Sequence, residues 1–183
     1  MIDKLLEGYT HVQDEKSKVL LREAYRIATY STDPNTHVGA FIEKNGILGQ
    51  GVNQLSRDIS LLSQEDIDYV NEHIQDRNWK NENTDHAEIL AIRNAHRTYG
   101  VTSTIGALMV MPWFPCDPCA QEIEQAGITQ LLVHKQLIQK TPPHWISSLQ
   151  EAKNTLKGKT EVIVYTGTIG KTRHLFRGTY WNP

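Results

Sequence analysis

The sequence predicts an α/β chain, a three-layer α/β/α sandwich with a mixed central sheet. Three observations carry that expectation. A helix-like stretch is followed by two apolar runs joined by the hairpin dipeptide Asn45-Gly46, which makes one antiparallel pair. Helix-like and strand-like segments then alternate as far as residue 165, the order that builds strands with helices on both faces. The 183 residues are 39% apolar, with no run of eighteen apolar residues, no repeat and no Pro/Gly/Ser linker, so one domain over residues 1–183 is expected and a membrane span is excluded.

The first helix is expected over residues 14–30, where Val19, Leu20, Ala24, Ile27 and Ala28 share one face and the turn-rich Ser31-Thr32-Asp33-Pro34-Asn35 stops it. Strands follow at residues 38–42 and 47–52. From Leu55 to Asp85 the chain is polar, with a helix start at Ser63 leading to a helix over residues 64–73 and a loop over 76–84. We read residues 55–84 as an insert that caps a site. Next come a helix at residues 87–99 ended by Gly100, a strand at 106–111, a helix at 117–126 ended by Gly127, a strand at 131–134, a helix at 144–156 and a strand at 161–165. Residues 166–183 form an extension without an assigned element.

Lys plus Arg number 19 and Asp plus Glu 21, a net charge of −2, so duplex nucleic acid is not an expected partner. Any nucleotide must be held by local groups. A chain of this length buries roughly 70% of its unfolded surface and needs no metal for its core, so a metal here is expected to serve function. Cys116 and Cys119 are too few and too close for a disulfide framework, and residues 1–18 resemble neither a secretory signal nor a transit peptide. A reducing, cytoplasmic setting is expected.

Chemistry concentrates at two helix starts, Asp85-His86-Ala87-Glu88 and Phe114-Pro115-Cys116-Asp117-Pro118-Cys119. One imidazole and two thiolates suit Zn²⁺, and three protein ligands leave the fourth tetrahedral position open for water, as catalytic sites do. Helix N-termini help by keeping the sulfurs ionised. Glu88 follows His86 by two residues, about 200° round a helix, so it is expected to reach past the metal and shuttle protons rather than to ligate. His-x-Glu with Pro-Cys-x-x-Cys is the signature of zinc-dependent base deaminases.

On these residues the chain resembles the cytidine and deoxycytidylate deaminase superfamily, closest to its deoxycytidylate (dCMP) branch. The resemblance also runs through Ser31-Thr32-Asp33-Pro34-Asn35-Thr36-His37-Val38-Gly39-Ala40, Gly51-Val52-Asn53 and Gln125-Ala126-Gly127-Ile128. It implies His86, Cys116 and Cys119 as zinc ligands, Glu88 as proton shuttle, and Asn53 as a contact to sugar or base; Ala87 and Asn35 join the expected substrate contacts. The implied reaction is dCMP to dUMP with release of ammonia. The resemblance further implies a homo-oligomer with dCTP and dTTP as effectors, and Trp145, Phe176 and Trp181 are candidate subunit anchors. Where that branch continues Gly-Phe-Pro-Arg-Gly, this chain has Gln54-Leu55-Ser56-Arg57-Asp58, which keeps a cation, Arg57, in register for a 5′-phosphate. Lys80 and the cluster Lys171, Arg173, His174 and Arg177 are the other candidates; for that cluster a solvated tail and a subunit contact stay equally open.

Other readings of the same residues remain. The PCxxC pair alone would suit a thioredoxin-like redox site, and a fourth ligand would make a closed structural zinc site, although His96 lies about 280° round the helix from His86. Asn53 and Asn35 are turn-capping types. The motifs also suit a deaminase of another base (guanine, modified cytosine or a pterin-like ring) or a non-catalytic zinc module.

Overall fold

The computed structural model describes residues 2–56, 63–74 and 76–183. Its centre is a six-stranded sheet in the order β1 (Thr10–Val12), β8 (Glu161–Tyr165), β7 (Gln130–His134), β6 (Leu108–Val110), β2 (Gly39–Glu43) and β3 (Ile47–Val52). The first four run parallel and the last two pair antiparallel, so the sheet is mixed as expected.

Both faces of the sheet are covered, because alternate side chains of each strand feed different cores. Ala40, Ile42, Met109, Met111, Leu131 and Val133 pack on one face against α1 (Ile2–Leu6), α5 (Ala87–Tyr99), α6 (Asp117–Gln125) and α8 (Ile146–Leu156). Phe41, Val110 and Leu132 point the other way, onto α2 (Glu15–Ala28). Asp14 caps α2 by accepting the Ser17 amide at 2.9 Å. The buried face of α2 is Leu21, Ala24, Tyr25, Ile27 and Ala28. Val19 is 51% exposed, because the helix presents positions 21, 24, 25 and 28 to the sheet and turns 19 away.

Glycines set how closely two of these helices lie. A Cβ on Gly51 would collide with the Ala87 carbonyl oxygen and sit 2.6 Å from the Ala91 amide; one on Gly49 would meet the Ala91 carbonyl and the Ala95 amide in the same way. The backbone of α5 therefore rests directly on β3. On the opposite face Gly39 lies as tightly against Ala24 and Ala28 of α2.

Four local expectations need correction. The chain starts with α1 and β1, short elements whose few residues carry no periodic signal. Within the insert, α3 (Gln64–His73) lies where expected, with a Ser63/Asp66 capping box, but residues 77–82 form a helix, α4 (Arg77–Glu82), in place of a loop. Asp76 caps it by accepting the Trp79 amide at 2.8 Å. The two ends of the insert are tied by β4 (Gln54–Leu55) against β5 (Thr84–Asp85). Residues 143–145 open the expected helix at 144–156 as a 3₁₀ turn.

The extension holds a hairpin, β9 (His174–Phe176) and β10 (Thr179–Trp181). It docks on α2 and β7 through a buried aromatic and imidazole cluster. His134 donates from Nε2 to the Gly167 carbonyl at 3.0 Å, which leaves Nδ1 to accept from the Tyr25 hydroxyl at 2.8 Å. His174 sits edge-on to the Tyr25 ring at 4.7 Å, and Trp181 stacks near His134 at 6.4 Å. Phe176 is buried in the α2 core and Trp181 packs against it. Phe176 is thus buried within the chain, while Trp181 stays half-buried at the edge of that core. Among the described residues no helix is long and apolar enough to cross a membrane.

Two predictions follow from this packing. Gly51→Ala drives a methyl group into the backbone of α5 and should lower stability by about 1–3 kcal/mol, a drop of several degrees in Tm by calorimetry; an unchanged Tm would show that α5 can move away freely. Burial lowers the pKa of His134 to about 4, and burial with neighbouring His37 and His134 lowers that of His174 to about 3. Both are held neutral in the folded state, so the unfolded chain binds more protons between its ordinary histidine value and those limits. Stability should therefore be full above about pH 6.5 and fall as the pH drops towards 4, by at most about 1.4 kcal/mol per pH unit for each ring. Urea titrations across that window, with His174→Phe showing a shallower fall than wild type, check the assignment.

Candidate functional site

Tertiary contacts bring the two helix starts together at the carboxyl end of β6, where the chain leaves the sheet into α6. His86 and Cys116 are the cap residues of α5 and α6, both in extended backbone conformation and neither making a side-chain capping bond. Cap positions favour Ser, Thr, Asp or Asn, whose side chains accept a free helix amide. Here both side chains turn away from that role and meet each other. His86 Nδ1 lies 3.2 Å from Cys119 Sγ and 3.4 Å from Cys116 Sγ.

The three ligand atoms all lie within 4.8 Å of one another. A tetrahedral Zn²⁺ with its usual bonds would hold nitrogen and sulfur about 3.5 Å apart, so the trio needs only small shifts to receive the ion. Among the described residues no fourth ligand belongs to this group. His96 donates or accepts elsewhere, at 2.9 Å from Thr104 Oγ1. The Cys116 thiol falls to about 5, chiefly because Cys119 hydrogen-bonds to it and His86 lies beside it, while Cys119 is pushed up by the same bond and by burial. His86 rises to about 9, mainly through its contact with Cys116.

Glu88 is the second helical residue of α5, 5% exposed, and its carboxyl interacts with Cys119. Burial raises its pKa, and His86 works in the opposite direction. The helical angle between His86 and Glu88 is not what separates their roles, since His86 stands outside the helix as its cap. The separation arises because the extended cap aims the imidazole at the sulfurs while Glu88 takes the first-turn direction.

His86, Glu88 and Cys116 line a cavity of about 370 Å³. Ala87, Asn35 and Asn53 line it as expected, and so does Lys80. Arg57 lies outside the described residues. Asn53 is largely engaged with the 31–38 loop: Oδ1 accepts from the Val38 amide at 2.6 Å and the Ser31 hydroxyl at 2.8 Å, while Nδ2 donates to the Thr36 carbonyl at 2.7 Å. These bonds brace a distant loop and do not cap the turn in which Asn53 itself lies. The loop is braced further by Asp33, which is buried, accepts the Asn35 and Thr36 amides at 2.8 Å each, and pairs with Lys80 Nζ at 2.7 Å.

An apolar wall faces this polar side. Trp113 and Phe114 line the cavity together with Trp145, which lies 6.1 Å from Trp113. Trp145 thus lines the site. Trp113 Nε1 donates to Thr141 Oγ1 at 2.8 Å, which fixes the indole. The residues that sequence reasoning passed over are Asp33, whose buried pairing needs the α4 helix, and Trp145 with Pro142, carried from the far end of β7. The Pro142-Pro143 break was their only local signal.

Comparison with known proteins gives a consistent result. The family model for the cytidine and deoxycytidylate deaminase zinc-binding region matches residues 14–135. A deoxycytidylate deaminase of Pongo abelii is 32% identical over 111 residues, covering 60% of this chain and 58% of that protein. The match therefore spans somewhat over half the length of that relative. Among solved structures, the dCMP deaminase of cyanophage S-TIM5 in its apo form superposes with a TM-score of 0.55 at 20% identity, over 84% of this chain and 99% of the other. The same enzyme has been solved with dCMP and dUMP, and that structure superposes at 0.53 with 19% identity over 84% and 99%. RibD of Acinetobacter baumannii gives 0.53 at 19% identity, over 82% of this chain and 35% of the other. The superpositions establish a shared fold, and with the family's zinc-binding region matched over more than half of its length, the chain belongs to the cytidine and deoxycytidylate deaminase family.

Proposed function

We propose that this chain is a zinc-dependent hydrolytic deaminase of a cytosine nucleotide, converting dCMP and water to dUMP and ammonia. The observation that carries the reading is the His86/Cys116/Cys119 group opening into a cavity beside the buried carboxyl of Glu88. The relative of Pongo abelii and the cyanophage enzyme, by their names, support a deoxycytidylate substrate.

His86 Nδ1 and the two sulfurs would hold the ion, with an open fourth position. When bound, zinc supplies a Lewis acid able to bring a water's pKa to roughly 7. Glu88 performs the proton transfers. Its carboxylate takes a proton from the attacking water as the C4–O bond forms and gives it to ring N3, then takes the remaining proton of the new C4 hydroxyl and passes it to the amine as the C4–N bond breaks. Ammonia leaves and the ring carbonyl remains. The burial of Glu88 keeps bulk water away from these transfers.

The planar pyrimidine finds an apolar bed in Trp113, Phe114 and Trp145. The positive end of the α6 dipole lies on the side where negative charge develops. An ammonia-release screen over free bases, nucleosides and nucleotides tests the substrate class, with turnover of guanine or a pterin-like compound in preference to cytosine nucleotides overturning it.

Cys116→Ala should bind well under the roughly one zinc per chain expected of wild type, since three ligands are the minimum for a catalytic site. Elemental analysis after dialysis reads this directly, and full occupancy at wild-type affinity would remove Cys116 from the ligand set. Glu88→Gln should retain zinc and lose about 10²–10⁴ or more in kcat, the range of general acid–base catalysis. Steady-state rates alongside metal content separate that outcome from simple loss of the site.

A further inference from the structure

The cavity has a polar rim whose charge is not balanced, and the C-terminal hairpin supplies the excess. Two cationic side chains of Lys or Arg type line it among the described residues, Lys80 and Arg177. Lys80 is neutralised by Asp33, at 2.7 Å, and that carboxylate is itself buried. Arg177 has no carboxylate partner among the described residues and is exposed at the mouth. The rest of its cluster is placed elsewhere: His174 is buried against Tyr25, and the Arg173 guanidinium stacks 4.2 Å over the Tyr180 ring.

The backbone at Arg177 points to function more sharply. Phe176 pairs with Thr179, so Arg177 and Gly178 are the two central residues of a two-residue hairpin, and both have positive φ, 53° and 73°. Such turns favour Asn-Gly, because Asn tolerates the left-handed conformation and a long unbranched side chain gains nothing from it. The β2–β3 connection, a three-residue turn closed by Glu43 and Ile47, also has an Asn in the left-handed region, Asn45 at φ 60° before Gly46. At the second hairpin an Arg stands where the fold would accept Asn. The tip is also fixed in place. The Arg177 amide donates to Thr36 Oγ1 at 3.2 Å, the Gly178 amide to the Asn35 carbonyl at 2.7 Å, and the His37 amide to the Leu175 carbonyl at 3.0 Å. These bonds stitch the tip to the 35–37 loop that lines the same cavity.

We propose that Arg177 is a substrate-binding residue that holds the phosphate of the nucleotide, so that the C-terminal hairpin sets the preference for a phosphorylated substrate. The inference rests on the nucleotide reading given above. A guanidinium offers a planar fork of donors to phosphate oxygens, and a preset tip loses little freedom when it binds.

The test uses the full zinc-loaded chain and compares dCMP with deoxycytidine for wild type, Arg177→Asn and Arg177→Lys. Arg177→Asn should lower the ratio of kcat/KM for dCMP over deoxycytidine by about tenfold or more, chiefly through KM for dCMP, the scale of one lost charge-assisted contact. Arg177→Lys should recover part of that ratio. The Tm of Arg177→Asn should equal or exceed that of wild type, because Asn suits the turn. If wild type prefers dCMP and Arg177→Asn keeps the full preference, the inference is wrong and the nucleotide reading stands. An Arg177→Asn variant that loses Tm and activity on both substrates alike would assign Arg177 to the turn and overturn the proposal. A wild type without preference for dCMP would remove the nucleotide reading and the inference together.

Discussion

The absence of side chains at Gly49 and Gly51 is the constraint on which the site depends. These residues let the backbone of α5 lie against β3, and α5 begins with His86, Ala87 and Glu88. A Cβ at either glycine would press on the backbone of α5 and push its first turn away from the sheet. The two-residue ladder between β4 and β5 adds a second restraint, since it places Asn53 and His86, each adjacent to a ladder residue, at one edge. Catalytic geometry of this kind tolerates little displacement. The packing of small residues in β3 and on the facing side of α5 is therefore as much a part of the site as the ligands are.

The three residues that could hold a metal are placed by helix ends, not by loops. His86 and Cys116 sit at cap positions and give up the capping bonds that such positions normally make, at a cost of order 1 kcal/mol each. In return both side chains are aimed by rigid elements, and the positive dipole ends of two helices face one small volume. Residues that break a local rule in this way mark function more reliably than residues that obey it. Arg177 breaks a comparable rule at a hairpin tip, in a segment outside residues 14–135.

The cavity itself is composite. Its polar side comes from the 33–38 loop braced by Asn53 and Asp33, its apolar side from Trp113, Phe114 and Trp145, and its rim from α4 and the C-terminal hairpin. The polar side is self-satisfied, with Asn53 and Asp33 spending their acceptors on backbone amides of the same loop. Such a wall is preorganised: its groups need not rearrange to face a ligand. The hairpin is anchored far from the metal group by the buried Tyr25, His134 and His174 cluster, so the rim is coupled to the core under α2.

What the sequence determined by itself was the local chemistry and the period. Strand runs buried on both faces, the helix at 87–99 with its Gly100 stop, and the two ligand motifs were legible because each rests on residues close in the chain. His86, Cys116, Cys119 and Glu88 could be singled out by type and spacing before any distance was known. Short elements were not legible: α1, β1, α4 and the β4–β5 ladder contain too few residues for periodicity, and their stability comes from caps and partners supplied by distant segments. The face of α2 holds at Ala24, Ile27 and Ala28 but turns Val19 outward and buries Leu21 and Tyr25, since the close approach of Gly39 to Ala24 and Ala28 fixes how that helix lies. Tertiary structure alone decided that Trp145 joins the cavity wall, that Phe176 is buried within the chain, and that Arg177 reaches the site from more than a hundred residues beyond Asn53. Contacts of that separation leave no local signature, because what selects each residue is the shape of a space that exists only once the sheet and its helices have closed around it.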